Sequence, residues 1–159
     1  SGLDEFKVAE LVHRNAPIDG FGVGTRLAVS DDAPQVDMAY KLVDYAGRPR
    51  MKLSSDKANP PGAKQVYRRH DHGVMDHDVL ATRGEAPPTD AEPLLRPVVR
   101  EGELLDGALP DLEAIRGHAA ASLDTLPKPL KRVTAADEPY EVRSSDPLRA
   151  LAERLSASG

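Results

Sequence analysis

Residues 17–27 read Pro17-Ile18-Asp19-Gly20-Phe21-Gly22-Val23-Gly24-Thr25-Arg26-Leu27, and the fold class turns on them. Ile18–Phe21 is too short for anything but a buried strand, and it opens into a glycine turn. Upstream, Leu3, Val8, Leu11 and Val12 recur near one face at helical spacing, with Asp4 placed to cap the helix and Asn15-Ala16-Pro17 to stop it. A helix, a short strand and a glycine turn make half of a βαβ repeat. Such a strand needs a parallel neighbour, and the chain offers it none. Residues 1–34 therefore read as a βα segment whose partner strands lie elsewhere, as they would for the closing piece of an α/β barrel. The absence of an initiator Met fits that expectation.

The glycine loop has two readings. Glycines let backbone N–H groups approach a ligand closely, and loops after the last strands of βα barrels often hold phosphate. Alternatively, the loop is a plain turn. It is not a Walker A loop, because no Lys-Ser/Thr follows. As a dinucleotide fingerprint it fails too: the third glycine falls one residue early and no acidic ribose ligand follows.

Beyond residue 34 the pattern becomes β-rich. Met38, Tyr40 and Leu42 alternate with Ala39 and Lys41, Ala46–Pro49 is turn chemistry, and Arg50–Leu53 returns as a second strand. After a loop over 54–63, strands are expected at Lys64–Arg69, His77–Thr82 and Leu94–Val99, with a polar loop over Gly84–Glu92. Asp111 caps a helix carrying Leu112, Ile115, Ala119, Leu123 and Leu126 on one stripe, and Pro127 ends it. Tyr140–Val142 reads as a short strand. Asp146 and Pro147 form an N-cap and N1 pair leading into Leu148, Leu151 and Leu155. The expected plan is α/β, then an antiparallel β segment and C-terminal helices over 35–159.

Composition bounds what this plan can do. Across 159 residues there are 2 Phe, 4 Tyr and no Trp, against 14 Pro and 12 Gly. A self-contained domain of this size buries roughly 68–70% of its unfolded surface, and aromatic anchors dominate such burial. Their scarcity means either a modest core or a chain that is a piece of something larger, and the second is the preferred expectation. With 21 Lys and Arg against 26 Asp and Glu the net charge is −5, which argues against bulk binding to nucleic acid or an anionic membrane. No apolar run is long enough to span a membrane. The lack of cysteine removes thiolate catalysis, zinc-thiolate sites and disulfides, and fits a cytoplasmic protein.

Two further constellations carry possible chemistry. Arg48, Arg50, Lys52, Lys57, Lys64, Arg68 and Arg69 concentrate positive charge in an acidic chain. Arg48, Arg50 and Lys52 share parity, so one strand face would present them either to solvent or to a polyphosphate. His70-Asp71-His72 followed by Asp76-His77-Asp78 has metal-ligand chemistry. It is a near miss of H-x-H-x-D-H, because the Asp-His pair comes two residues late. His13 and His118 fall on helices, where surface or capping roles suit them.

The sequence resembles the C-terminal part of nicotinate phosphoribosyltransferase. The resemblance rests on Leu3-Asp4-Glu5-Phe6, Pro17–Leu27, Tyr40-Lys41-Leu42-Val43 and Arg50-Met51-Lys52-Leu53-Ser54 with Lys57. It continues in order through Pro61-Gly62, Lys64–Arg68, Leu94–Val99 with Gly102, and Leu126-Pro127 before Tyr140–Val142. It implies an irregular α/β barrel of the type II phosphoribosyltransferase kind packed on a β-rich domain, usually as a homodimer. It also implies an enzyme of NAD salvage joining nicotinate to phosphoribosyl pyrophosphate. The products are nicotinate mononucleotide and pyrophosphate, with ATP hydrolysis coupled and Mg²⁺ accompanying the polyphosphates. On that resemblance Gly22, Val23, Gly24 and Thr25 anchor the substrate phosphate, and Lys52 and Lys57 lie on the pyrophosphate- and ATP-facing side.

Two departures stand out. The family commonly reads Ser-Gly-Asp-Leu-Asp-Glu where Ser1-Gly2 runs directly into Leu3, so the acidic position near the ribose hydroxyls is missing or displaced. The family's phosphorylated histidine and nicotinate-binding residues lie upstream, and none of the five His here has the matching context, so no catalytic residue is carried over. The chain alone is expected to be inactive. Its rivals are a metal-dependent hydrolase built on His70, His72 and His77, and a non-catalytic interaction module.

Overall fold

The computed structural model describes residues 2–29, 40–53 and 59–157. The chain divides into two compact units, Ser1–Tyr40 with Arg132–Ala135, and Lys41–Lys131 with Ala136–Gly159.

In the first unit α1 spans Glu5–His13, capped as expected. Asp4 Oδ1 accepts from Lys7 N at 2.8 Å, and the Lys7 ammonium sits 3.0 Å from the other carboxylate oxygen. A four-residue α2, Thr25–Ala28, follows the glycines. The strand expected at Ile18–Phe21 is not formed. A strand needs a neighbour to take its N–H and C=O groups; without one, Ile18 N turns back to Ala16 O at 2.7 Å. The strand expected from Met38 starts outside the described residues, and Tyr40–Leu42 is not in a strand.

The second unit opens with β1 (Asp44–Tyr45) and β2 (Arg48–Pro49), paired antiparallel across Ala46-Gly47. Both turn residues have positive φ, as a tight hairpin requires. Arg50–Leu53 does not continue the strand, and Pro49 lacks the N–H that a longer ladder would use.

The main sheet has four strands in the order β5-β3-β4-β8: β3 Lys64–Asp71, β4 Val74–Thr82, β5 Ala91–Pro93 and β8 Glu141–Ser144. The sheet is not wholly antiparallel, because β8 lies parallel to β4. The long connection between them, which contains a helix, makes that crossover possible. Between Arg68↔Asp78 and His70↔Met75, two steps along β3 match three along β4. The extra residue is a β-bulge on β4 at Asp76-His77.

The strand expected at Leu94–Val99 is reduced to β6, Val99–Arg100, paired with β7, Glu103–Leu104. Pro93 and Pro97 remove ladder donors on either side. A side chain does the pairing instead: Gln65 accepts from Leu95 N at 2.9 Å and donates to Leu95 O at 2.9 Å.

Helix α3, Leu112–Thr125, begins where expected, with Asp111 Oδ1 accepting from Ala114 N at 2.8 Å. Its apolar stripe is not buried: Leu112, Ile115 and Leu123 are exposed. Helix α4, Asp146–Ala157, starts one residue earlier than read. Ser145 is the cap, its hydroxyl accepting from Leu148 N at 3.2 Å, and Asp146 is already helical. The buried apolar side chains among the described residues include Tyr67, Met75, Ala81 and Leu148, a core centred on β3, β4 and the first turn of α4, with Pro61 of the preceding loop also fully buried.

Candidate functional site

Each unit holds one of the two segments read as phosphate-binding. In the first, Gly24 is the residue before α2, with φ −131° and ψ −151°, and its carbonyl accepts from Leu27 N at 3.1 Å and Ala28 N at 3.0 Å. Thr25 opens the helix, where first-turn N–H groups have no helical acceptor. The glycines do not work by left-handed backbone: Gly20, Gly22 and Gly24 are absent from the positive-φ residues. A Cβ at any of the three would meet nothing within 4 Å. Their smallness leaves open space beside the main chain, and conformational freedom is not what the loop uses. Asp4 reaches this segment too, with Arg26 Nη1 3.8 Å from its Oδ2. The hydrogen bonds from the Lys7 backbone and side chain hold the Asp4 carboxyl below its ordinary value.

In the second unit the basic set separates into two groups. Arg48, Arg50 and Lys52 do not share a strand face, because the strand ends at Pro49. Arg50 and Lys52 are exposed, and Lys52 is fixed through its backbone, its N–H donating to Asn59 Oδ1 at 3.1 Å. Lys57 lies outside the described residues. Lys64 and Arg68 are structural. The Lys64 ammonium bonds to Pro60 O at 2.7 Å and Gly62 O at 2.6 Å, and partial burial lowers its pKa.

Arg68 belongs to a network that the sequence reading missed. Its guanidinium forks onto Asp78, Nε to Oδ1 at 2.9 Å and Nη2 to Oδ2 at 2.8 Å. Tyr140 donates its hydroxyl to Asp78 Oδ1 at 2.9 Å, and its ring lies 5.7 Å from the Arg68 guanidinium carbon. Burial pushes the Asp78 carboxyl up, but the hydrogen bonds from Arg68 and Tyr140 outweigh it and leave the group below its ordinary value. Burial and the bond to Asp78 raise the Tyr140 hydroxyl. Bidentate pairing of this kind is strong and geometrically specific. Here it ties β3, β4 and the residue leading into β8.

The histidines do not assemble a metal site. His70 is on β3, His72 is exposed in the turn, and His77 sits at the bulge with Nδ1 2.7 Å from Asp76 Oδ2 and Nε2 3.4 Å from Arg143 Nη1. Among the described residues no group of three or more His, Asp or Glu could hold a metal ion. The metal-dependent hydrolase reading thereby loses its constellation. Strand alternation and the bulge separate ligands that look adjacent in sequence.

A model of the nicotinate phosphoribosyltransferase C-terminal domain matches residues 83–152. The nicotinate phosphoribosyltransferase pncB2 of Mycobacterium tuberculosis is 46% identical over 146 residues, which cover 92% of this chain. The chain belongs to the nicotinate phosphoribosyltransferase family. The Bos taurus nicotinate phosphoribosyltransferase is 33% identical over 183 aligned positions covering 100% of the chain. The crystal structure of human nicotinic acid phosphoribosyltransferase superposes with a TM-score of 0.63 at 29% identity, over 74% of this chain and 26% of that one. The chain spans about a third of the curated relatives it matches, 31% of the mycobacterial protein and 34% of the bovine one. This is an enzyme family, and the mixed α/β fold agrees with it. Among the described residues no helix is long and apolar enough to cross a membrane.

Proposed function

We propose that these residues form the C-terminal third of a nicotinate phosphoribosyltransferase of NAD salvage. In the reaction, the nicotinate ring nitrogen bonds to ribose C1 of phosphoribosyl pyrophosphate as the bond to pyrophosphate breaks, with ATP hydrolysis coupled. The observation that carries the reading is 46% identity to a protein of that name over 92% of the chain. On this reading Gly22, Val23, Gly24 and Thr25 anchor the phosphoribosyl phosphate. The open space beside Gly22 and Gly24 supports that role, since an anion could approach the main chain there. Arg50 and Lys52, exposed and held on a fixed backbone, fit the side taken by pyrophosphate or ATP, with Lys57 as a further cation. Mg²⁺ would travel on the polyphosphate oxygens. The complete enzyme would act as a homodimer, with the catalytic histidine and the nicotinate pocket outside these residues.

The test is turnover of nicotinate with phosphoribosyl pyrophosphate. A full-length enzyme carrying this segment should form nicotinate mononucleotide, and the 159-residue chain alone should form none. Activity in the short chain, or none in the long one, overturns the reading. Within the full-length enzyme, Lys52→Ala should raise KM for phosphoribosyl pyrophosphate or ATP about tenfold, the size of one lost charge-assisted contact. Its melting temperature should stay put, because the exposed Lys52 side chain supports no buried element. Unchanged kinetics in both Lys52→Ala and Lys57→Ala would return the segment to a solvated loop.

A further inference from the structure

In the described part of the first unit one residue is buried, and it is a carboxylate. Asp4 is 6% exposed, while no residue of α1 or α2 is buried. A carboxylate drawn out of water has to be paired. Capping α1 occupies one of its oxygens, Oδ1, which accepts from Lys7 N. Asp111 shows what capping alone requires: its Oδ1 accepts from Ala114 N at the same 2.8 Å, and the residue is exposed. Asp4 does more than cap. Its Oδ2 has Lys7 Nζ at 3.0 Å and Arg26 Nη1 at 3.8 Å. Lys7 Nζ also donates to Gly2 O at 2.9 Å.

These contacts join two stretches that are distant in sequence. Lys7 fixes the chain before α1, and Arg26 directly follows Thr25 in the first turn of α2. Residues 15–24, between the two helices, form neither helix nor strand. A Cβ at Gly20, Gly22 or Gly24 would meet nothing within 4 Å, so packing does little to place the loop. Resting on the proposed role of Gly22–Thr25, we infer that Asp4 is a positioning residue for the phosphoribosyl phosphate. It holds Arg26, and thereby sets how Gly24 and Thr25 face the anion. Asp4 acts through Arg26 and does not itself touch the phosphate, which a carboxylate would repel.

Asparagine caps a helix about as well as aspartate, so Asp4→Asn keeps α1 and removes the charge that Arg26 faces. In the full-length enzyme it should raise Kd and KM for phosphoribosyl pyrophosphate about two- to fivefold, the scale of a half-exposed ion pair. The kcat and the KM for nicotinate should not move. Asp111→Asn, the same change at an ordinary cap, should leave every one of these values at the parental level. Arg26→Gln should match Asp4→Asn, and the double variant should do no worse than either, because each removes the same link. Arg26→Lys keeps the charge and should bind as the parent does. The Arg26 side chain is 54% exposed, so the Arg26 variants carry the test if Asp4→Asn disturbs folding. Parental affinity in Asp4→Asn and Arg26→Gln overturns the inference, and so does an additive double variant. Tighter binding in Asp4→Asn overturns it as well, since Arg26 would then be a phosphate ligand that Asp4 holds back. Failure of the proposed function shows elsewhere, in a parent enzyme that neither binds phosphoribosyl pyrophosphate nor forms nicotinate mononucleotide; that result sinks both readings. A parent that does both, beside variants that match it, sinks this inference alone.

Discussion

Asp78→Ala should destabilise the second unit by roughly 3–5 kcal/mol, the cost of removing one partner from a buried, hydrogen-bonded ion pair. The carboxylate side chain is only 10% exposed and serves three hydrogen bonds, two from Arg68 and one from Tyr140. Its loss leaves the partly buried Arg68 guanidinium without its carboxylate partner. Urea unfolding of the variant against the parent measures the effect, and a difference below about 1 kcal/mol would reduce the network to an ordinary surface pair. Tyr140→Phe removes one bond to a charged group and should cost less, about 1.5–3 kcal/mol. The two changes should be non-additive because they share an acceptor. The same network sets a pH dependence. Because the folded carboxyl titrates below its ordinary 3.8, its contribution is fully present above that value. It is lost as pH falls through the folded value. Asp78→Ala should therefore flatten the loss of stability below about pH 4.

Thr25→Val should weaken phosphoribosyl pyrophosphate binding by roughly ten- to a hundredfold in the full-length enzyme. That is the range for one hydrogen bond to a charged group, about 1.5–3 kcal/mol. Gly24→Ala should weaken binding at least as much while leaving the melting temperature unchanged. Its backbone is extended and a Cβ there meets nothing within 4 Å, so the folded chain alone tolerates the methyl. Only a bound phosphate would feel it. Calorimetric titration with phosphoribosyl pyrophosphate, paired with thermal unfolding, decides the matter. Normal folding and undiminished affinity in both variants would make the loop a plain turn.

Local chemistry in the chain was enough for several elements. Asp4 and Asp111 announce helix starts because a short carboxylate satisfies first-turn N–H groups within three residues of itself. The cores of β3 and β4 were legible as the runs at Lys64–Arg69 and His77–Thr82, though the structure extends both to a tight turn at His72-Gly73, and the family was legible in the order of the FGVGT and lysine segments. Local chemistry misled wherever an element depended on a neighbour. Ile18–Phe21 has the composition of a strand but finds no partner, and the stripe on α3 has the spacing of a core face but covers nothing.

What the sequence by itself determined is therefore the caps at Asp4 and Asp111, the cores of strands β3 and β4, and the kinship, all set by residues near one another or by their linear order. What only the tertiary structure decided is which side chains meet. A simple register through the turn at His72-Gly73 would bring Arg68 opposite His77. The bulge inserts one residue and brings Asp78 there instead. Tyr140, 62 positions away, joins them because β8 docks parallel to β4. That shift of one residue leaves the histidines without a shared metal site and creates the buried ion pair. No local propensity encodes it, since a bulge is chosen by packing on both faces of a sheet at once.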